Sequence, residues 1–381
     1  MTKLLYFQWS SFMNAGIERA LHKLGIDYDP FFYQFKDWEK DEKFEGLFEE
    51  KIKKGIYSTV FSVNFSPLIS DICEKYQIVY ISWIYDSPVH IRNLESMKNE
   101  CNRNFLFDRG LVEQYKKMGI QAKHLPLAVD TELFLKTARA EAGKYTAEVA
   151  MVGQLYQTQY PYFMAPLSEY QRGYFEGMLN AQMRLYGAYM IPEWITEEIL
   201  DEINAVYAKA SADHFKMGRK ELEFLLAQEV TGRERYLALS ILSSRFQVKN
   251  YSNDKSDQLK RVEFCGYADY YTQMPAIFAE SKINLNISLR TIQSGITLRV
   301  LDILGCGGFA ISNYQSEIEE YFQIGQEIEV YTSLEELLEK TEFYLKHETL
   351  RTRIAQAGLA RVQRDFSFEE RIKEMFLNRS V

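Results

Sequence analysis

The chain has 381 residues, which is long for one domain and makes two domains the better expectation. Hydrophobic residues make up 46% of it and charged residues 26%, so each of two domains could bury a core of its own. The net charge of −8 argues against a nucleic-acid binder, which usually carries a basic face, and against a strongly basic membrane-surface protein.

The positions of cysteine and histidine predict neither disulfides nor a metal site. None of the cysteines has CxxC spacing, and each lies in or beside apolar sequence, which is typical of small buried side chains in a reducing compartment. The five histidines are scattered. The apolar N-terminal run is too short for a signal peptide, and no run reaches the roughly 18 apolar residues of a membrane span. We therefore predict a cytoplasmic protein with no transmembrane segment, metal or cofactor.

Short apolar runs alternate with helical patterns in the first half of the chain, which predicts a parallel sheet with helical crossovers. A helix is expected around Gly16–Leu24, and Leu125–Asp130 looks like the exit from the domain. The predicted strands are Leu4–Trp9, Ser58–Val63, Ile78–Ile84 and Asn104–Phe107. This pattern predicts a Rossmann-like first domain over residues 1–145.

A second α/β unit is predicted from Glu148–Val152, where Gly153 closes the strand. The helical stretch Pro166–Ser244 is longer than one crossover needs, so we interpret residues 166–244 as a helical insertion. Further strands are predicted at Phe246–Tyr251, Val262–Cys265, Ile283–Ile287 and Phe309–Ser312. The second domain would cover residues 146–365, with a last helix, about 366–381, packing back on the first domain.

The segment Ser281–Asn313 carries the most chemical information. A strand, Ile283–Ile287, leads into a polar loop, and Thr297 could cap the helix Leu298–Leu304. The backbone N–H groups of Gly295, Ile296 and Thr297 would then lie at the positive end of a helix dipole, where a diphosphate can bind.

Charged and polar side chains in the same segment fit that interpretation. Arg290 and Arg299 would donate charge-assisted hydrogen bonds to a diphosphate, and Ser294 lies in the loop between them. Asp302, about one helical turn further on, could accept hydrogen bonds from both hydroxyls of a ribose. A buried strand, loop and helix with Asp302 in a surface ion pair would explain the pattern about equally well.

The block SKINLNISLRTIQSGITLRVLDILGCGGF, residues 281–309, resembles the C-terminal domain of CgeB-like (spore-maturation type) glycosyltransferases. Supporting similarity in the N-terminal half includes Tyr80–Pro88 and Phe105–Arg109, so the resemblance spans nearly the whole chain. It implies a GT-B fold, in which two Rossmann-like domains face a cleft. It also implies a bacterial, metal-independent enzyme, of the hexosyltransferase type, that moves a sugar from a nucleotide-sugar, above all a UDP-sugar, to a glycan or protein acceptor.

The sequence departs from the wider GT-B pattern at two places. Many members pair two glutamates, whereas here Asp302 replaces one and Ser294 stands near the place of the other. Many also carry Arg and Lys after the first strand of the C-terminal domain, whereas Gln154–Tyr162 has no basic residue. Phosphate neutralisation would then depend on Arg290, Arg299 and backbone amides. The missing glutamate favours an inverting over a retaining mechanism.

Asp86 follows an apolar strand, and ligands of open α/β sheets bind beyond the carboxyl ends of strands. It could act as a general base on an acceptor hydroxyl, although an aspartate that caps its own turn is an equal alternative. His90 is a second candidate base, with a plain helix-start histidine as the competing interpretation. Asn14 and Gly16, in the loop after the first strand, are candidate acceptor-side residues or simply parts of a tight turn.

Gly153 and the turn around residues 267–270 complete the predicted donor site. Backbone groups near Ala268 could bind the base edge, and the ring of Tyr267 or Tyr270 could stack on the base, unless both rings belong to the core.

Two other classes of protein are alternatives to a catalytically active glycosyltransferase. A non-catalytic GT-B module that binds a nucleotide-sugar or a partner glycosyltransferase has the same pattern. A Rossmann oxidoreductase is disfavoured because Phe7–Ser11 stands where a GxGxxG motif would follow the first strand.

Overall fold

Two parallel sheets of six strands follow one another along the chain in the computed structural model, which describes residues 3–89, 91–210 and 215–377. Strands alternate with helices throughout, so the predicted α/β class is confirmed. Most strands are buried along nearly their whole length, as expected for parallel sheets covered on both faces.

The first sheet has the strand order β2-β1-β3-β4-β5-β6. Its strands are β1 (Lys3–Gln8), β2 (Tyr28–Phe32), β3 (Tyr57–Val63), β4 (Val79–Ile84), β5 (Asn102–Leu106) and β6 (Ala122–His124). The connecting helices are α1 (Asn14–Lys23), α2 (Glu42–Ile52), α3 (Pro67–Tyr76), a 3-10 helix (Glu95–Lys98) and α4 (Arg109–Lys117). The order reverses between β1 and β3, so their carboxyl ends form the switch point at which open α/β sheets bind ligands.

The second sheet has the strand order β12-β11-β10-β7-β8-β9. Its strands are β7 (Ala147–Val152), β8 (Val248–Tyr251), β9 (Val262–Phe264), β10 (Ser281–Asn286), β11 (Ala310–Asn313) and β12 (Glu329–Tyr331). The order reverses between β7 and β10. When these six strands are numbered in chain order, their order across the sheet is that of the dinucleotide-binding Rossmann fold. In that fold the ligand lies beyond the two central strands.

The remaining helices include the predicted insertion. They are α5 (Thr131–Ala140), α6 (Tyr160–Met164), α7 (Glu169–Met183), α8 (Ile191–Trp194), α9 (Glu197–Ala210), α10 (Arg219–Ser243), α11 (Met274–Glu280), α12 (Leu298–Gly305), α13 (Ser316–Tyr321), α14 (Leu334–Lys346), α15 (Glu348–Asp365) and α16 (Phe368–Phe376). Helices α6 to α10 share a hydrophobic core of their own, with Phe175, Leu179 and Ile203 fully buried in it. The insertion is therefore a packed helical layer.

The chain divides into two compact units that do not follow a single cut in the sequence. The first unit comprises Met1–Thr131, Gly295–Leu301 and Val362–Val381. The second comprises Glu132–Ser294 and Asp302–Arg361. Within the first unit α16 packs on α1. The boundaries at 145 and 365 stay predictions of the sequence.

Candidate donor and acceptor sites

A cavity of about 180 Å³ lies in the first unit, beyond the carboxyl ends of β1, β3 and β4. It is lined by Trp9, Trp38, Asn64, Phe65, Asp86, Val89 and Ile91. Trp9 follows β1, Asn64 follows β3 and Asp86 comes two residues after β4, so the residues converge at the switch point of the sheet. Asp86 therefore lines a cavity at the switch point of this sheet, and its role as a base stays a prediction.

Asn64 holds that carboxylate in place. Its side-chain Nδ2 donates a 2.6 Å hydrogen bond to Oδ2 of Asp86, and its Oδ1 accepts one of 3.0 Å from the backbone N–H of Tyr85. Asn64 is buried and has a φ of 60°, in the left-handed region that asparagine tolerates better than most residues. Asn64 was not among the residues predicted from the sequence, although a polar residue directly after a buried strand could have indicated a site residue.

Aromatic rings form the other walls of the cavity. The indole of Trp9 stacks on Tyr85 with 5° between the ring planes and 6.4 Å between the centroids, and its Nε1 donates to the carbonyl of Val63 at 2.9 Å. Burial, followed by the charge of Asp86, raises the pKa of the Tyr85 hydroxyl well above its usual value. The Tyr85 hydroxyl is therefore neutral at physiological pH.

The predicted acceptor-side residues shape the loop after β1. Asn14 Oδ1 accepts from the Tyr6 hydroxyl at 2.8 Å, and its Nδ2 donates to the carbonyl of Trp9 at 2.6 Å. A Cβ on Gly16 would come within 2.3 Å of the Phe368 ring, so this glycine is required for packing of α16 on α1. The predicted contact of Gly16 with an acceptor stays a prediction, and His90 lies outside the described residues.

An arginine that was not predicted from the sequence lies at the switch point of the second sheet. Arg235, on α10, donates hydrogen bonds to the carbonyls of Gln154, after β7, and Ile287, after β10. Its guanidinium lies over the ring of Tyr156, 4.6 Å from the centroid, and a Cβ on Gly153 would approach Nη1 to 3.2 Å. The loop Gln154–Tyr162 has no basic residue of its own, but Arg235 from the predicted helical insertion lies beside it. No local sequence signal linked Arg235 to this loop, since 81 positions separate it from Gln154.

Arg290 is committed to a buried ion pair. Its Nη2 lies 2.6 Å from Oε2 of Glu234, its Nη1 donates to the carbonyl of Leu185 at 3.1 Å, and the residue is only 4% exposed. Its guanidinium carbon also lies 4.7 Å from the centroid of the Tyr186 ring. The charge of Arg290 is therefore matched by Glu234 inside the protein, and its contact with a diphosphate stays a prediction.

Glu234 links this ion pair to the sheet. Its Oε1 accepts a 2.8 Å hydrogen bond from the hydroxyl of Tyr331, whose pKa is raised well above its ordinary value by burial and then by the charge of Glu234. Thr231, one turn earlier on α10, accepts from the backbone N–H of Arg290 at 3.1 Å. The cluster fixes the start of the loop between β10 and α12.

Asp302 is buried rather than surface-paired, with 1% of the residue exposed. The hydroxyl of Tyr270 donates to its Oδ1 at 2.9 Å, and the Tyr270 ring packs edge-on against Phe134. The surface ion-pair alternative is therefore wrong. One carboxylate oxygen of Asp302 already accepts from Tyr270, and the predicted contact of Asp302 with a ribose stays a prediction.

The other predicted donor residues differ in exposure. Tyr270 and Ala268 are buried, whereas Tyr267 is 60% exposed. Of these two tyrosines, only the Tyr267 ring remains open enough to stack on a base.

The loop before α12 contains a buried hydroxyl. The Thr297 carbonyl accepts from the N–H of Val300 at 3.1 Å, but its Oγ1 is buried without a hydrogen-bond partner, so the predicted side-chain cap does not form. Ile296 is buried, and a Cβ on Gly295 would lie 2.8 Å from the Phe107 ring.

Two predicted polar side chains flank this loop. Ser294 Oγ donates to Oε1 of Glu317 at 2.7 Å. Arg299, on the first turn of α12, is half-buried.

The described residues contain neither a metal-binding cluster nor a membrane-spanning helix. In residues 3–89, 91–210 and 215–377, no group of three or more His, Cys, Asp or Glu side chains could hold a metal ion. Over the same part of the chain, no helix is both long and apolar enough to cross a bilayer.

Two doubly wound parallel sheets, each with a switch point, define the class of GT-B proteins. Solved structures with that fold align over almost the whole chain. Sucrose-phosphate synthase from Thermosynechococcus elongatus has a TM-score of 0.55 at 11% identity, over 98% of this chain and 97% of its own. A glycosyltransferase from Rickettsia africae has a TM-score of 0.53 at 11% identity, over 100% and 99%. Anabaena HepE, solved with UDP-glucose, has 0.52 at 10% identity, over 98% of both chains. At this identity the likeness establishes the fold, so the GT-B prediction is confirmed.

The family comparison concerns the C-terminal part. Residues 219–376 match the model of a family described as glycosyl transferase-like, which confirms the glycosyltransferase prediction at the level of that domain. No curated protein matches the chain in sequence. The narrower resemblance to CgeB-like enzymes stays a prediction.

Proposed function

We propose that the protein transfers a sugar from a nucleoside-diphosphate sugar, a UDP-sugar first of all, to a glycan or protein acceptor. The observation that carries the proposal is the match of residues 219–376 to the glycosyl transferase-like family. The match includes β10, a central strand of the second sheet, together with the loop that follows it and α12. HepE, which shares the fold, was solved with UDP-glucose, and this supports the choice of donor.

The diphosphate would bind beyond the carboxyl ends of β7 and β10, where ligands of this sheet order bind. Arg235 supports this placement because its guanidinium already bridges the two strand ends, through Gln154 and Ile287. Gly153 has no Cβ, which allows the Arg235 guanidinium to approach the backbone at the end of β7. Arg299 remains the predicted second cation, while Arg290 acts as a positioning residue through Glu234.

The reaction would break the bond between the anomeric carbon and the diphosphate, on which negative charge grows in the transition state. Preorganised cations and N–H donors lower that barrier. In the inverting mechanism, Asp86 would take the proton of the acceptor hydroxyl as the oxygen attacks the anomeric carbon. Asn64 supports this role because its amide holds the Asp86 carboxylate through a 2.6 Å hydrogen bond.

A thermal-shift titration with UDP, ADP and GDP, each beside its nucleoside, tests the donor. We expect one diphosphate to raise the melting temperature and its nucleoside to do so less. Incubation of the matching nucleotide-sugars with glycan and protein acceptors, followed by mass spectrometry, tests transfer. Binding without turnover on any acceptor would instead support the non-catalytic module, which no observation currently favours. The absence of any nucleotide effect would overturn the proposal.

A further inference from the structure

We propose that the cavity lined by Trp9, Trp38, Asn64 and Asp86 is a subsite for a single sugar ring, so that the acceptor is a glycan rather than a protein side chain. The inference rests on the proposed function and narrows the acceptor that the function left open. It is carried by the size, the walls and the position of the cavity.

The size of the cavity suits one ring. Its volume of about 180 Å³ is below the range of about 300–1,000 Å³ that holds drug-sized ligands. A longer glycan would therefore place one residue in the cavity and leave the next outside.

Two indoles meet at a corner of the cavity. The rings of Trp9 and Trp38 lie 5.3 Å apart with 89° between their planes. Aromatic rings carry a negative face, which attracts the weakly positive C–H groups on the apolar face of a pyranose. Trp9 is braced by Tyr85 and by the hydrogen bond to Val63, so this wall is rigid before any ligand binds.

The polar part of the cavity complements the hydroxyl edge of a sugar. Asp86 contributes carboxylate oxygens, which accept strong hydrogen bonds from hydroxyl groups. Asn64 fixes the direction of that carboxylate and is itself buried. An aromatic corner and a fixed carboxylate in the same cavity match a ring that is apolar on one face and hydroxylated at its edge.

A peptide acceptor fits this position less well. Peptides are commonly recognised by adding a strand to a sheet edge or by lying in an extended groove. The edges of this sheet are β2 and β6, whereas the cavity lies over the inner strands β1, β3 and β4. A recess over inner strands admits a ring or a chain end and offers no free strand to pair with.

The first experiment measures glycoside binding without donor. The methyl glycosides of glucose, galactose, mannose and N-acetylglucosamine are titrated against the intrinsic fluorescence of the full chain, which has four tryptophans. We expect at least one glycoside to change the emission, with binding about tenfold weaker in Trp38→Ala and intermediate in Trp38→Phe. Trp194→Phe, in the helical insertion, is the matched control and should bind like the wild type.

The second experiment separates this inference from the proposed function. Trp38→Ala should raise the acceptor KM for a glycan and leave the donor KM and the UDP-induced thermal shift unchanged. If wild-type protein responds to UDP but to no glycoside, or if transfer goes only to protein side chains, the subsite is refuted while the function stands. If wild-type protein fails to respond to any nucleotide, the proposed function fails first.

Discussion

The side-chain amide of Asn64 donates a 2.6 Å hydrogen bond to the carboxylate of Asp86 across the ends of two neighbouring strands. This hydrogen bond fixes the direction in which the Asp86 carboxylate points. Asn64 has a left-handed backbone conformation. The Oδ1 of its amide also accepts a hydrogen bond from the N–H of Tyr85, so both ends of the amide are held. A proposed base is thus oriented by a residue that would not itself react.

Asn64→Asp tests this relationship with a side chain of the same size that also tolerates the left-handed region. Two carboxylates about 3 Å apart cannot both ionise easily, so the pair retains a proton to higher pH than Asp86 alone. If Asp86 is the base, the acidic limb of the kcat/KM profile for transfer should move up by about one pH unit or more. A profile that keeps its acidic limb while the protein remains folded would contradict the role of Asp86.

Asp86→Asn should remove the base and leave the donor site intact. We expect kcat for transfer to fall by about 100-fold to 10,000-fold, the contribution typical of a positioned general base. The UDP-induced thermal shift should be unchanged, because Asp86 follows β4 of the first sheet, whereas the diphosphate is proposed to bind beyond β7 and β10 of the second sheet. Wild-type kcat in the variant would indicate a retaining mechanism that needs no strong base.

Arg290 and Glu234 should show strongly coupled effects on stability. Removing one member of a buried ion pair typically costs about 3–5 kcal/mol because the other charge is left unpaired. Arg290→Met and Glu234→Gln should each destabilise the protein in urea unfolding, and the double variant should lose clearly less than the sum of the two. Strictly additive losses would show that the two side chains do not depend on each other.

The sequence predicted the central strands well but missed three of the four described edge strands, β2, β6 and β12, while it did predict the edge strand β9. Strands such as β1 and β4 carry apolar runs because both of their faces are buried. The edge strand β2 contains Pro30 and is only partly buried, so it lacks the apolar run that identifies an inner strand.

The candidate sites show the same limit for side chains. Asp86 could be placed because it closely follows a clear strand, whereas Arg235 reaches its strand ends from a distant helix. The ion pair of Arg290 could not be predicted because its partner, Glu234, lies 56 positions away, and no periodicity shows such a pairing.

Arg235→Gln should selectively weaken the binding of the diphosphate. A hydrogen bond to a charged group contributes about 1.5–3 kcal/mol, so UDP affinity should fall about 10-fold to 100-fold in calorimetric titration. Uridine affinity should change little, since the base and ribose do not need the cation. Arg245→Gln, just after the same helix and in an exposed pair with Glu342, is the control for general loss of charge. Equal losses for UDP and uridine would indicate that Arg235 only supports the fold.

The pair of Glu176 and Arg233 should make the helical insertion sensitive to acid. Both oxygens of Glu176 accept from the guanidinium, at 2.7 and 2.8 Å, and these hydrogen bonds lower the pKa of the carboxyl. A lowered folded-state pKa adds stability above the unfolded-state pKa, and that stability is lost as pH falls through the folded-state value.

Because the side chain of Glu176 is 44% exposed, solvent screening limits the effect to about 0.2–1 kcal/mol. Glu176→Gln should be less stable than the wild type by that amount in urea at pH 7. The difference should shrink towards zero as the pH is lowered below the Glu176 pKa, where the wild-type carboxyl is also neutral. A gap that stays constant down to that pH would mean that packing between α7 and α10, rather than the ion pair, accounts for the loss.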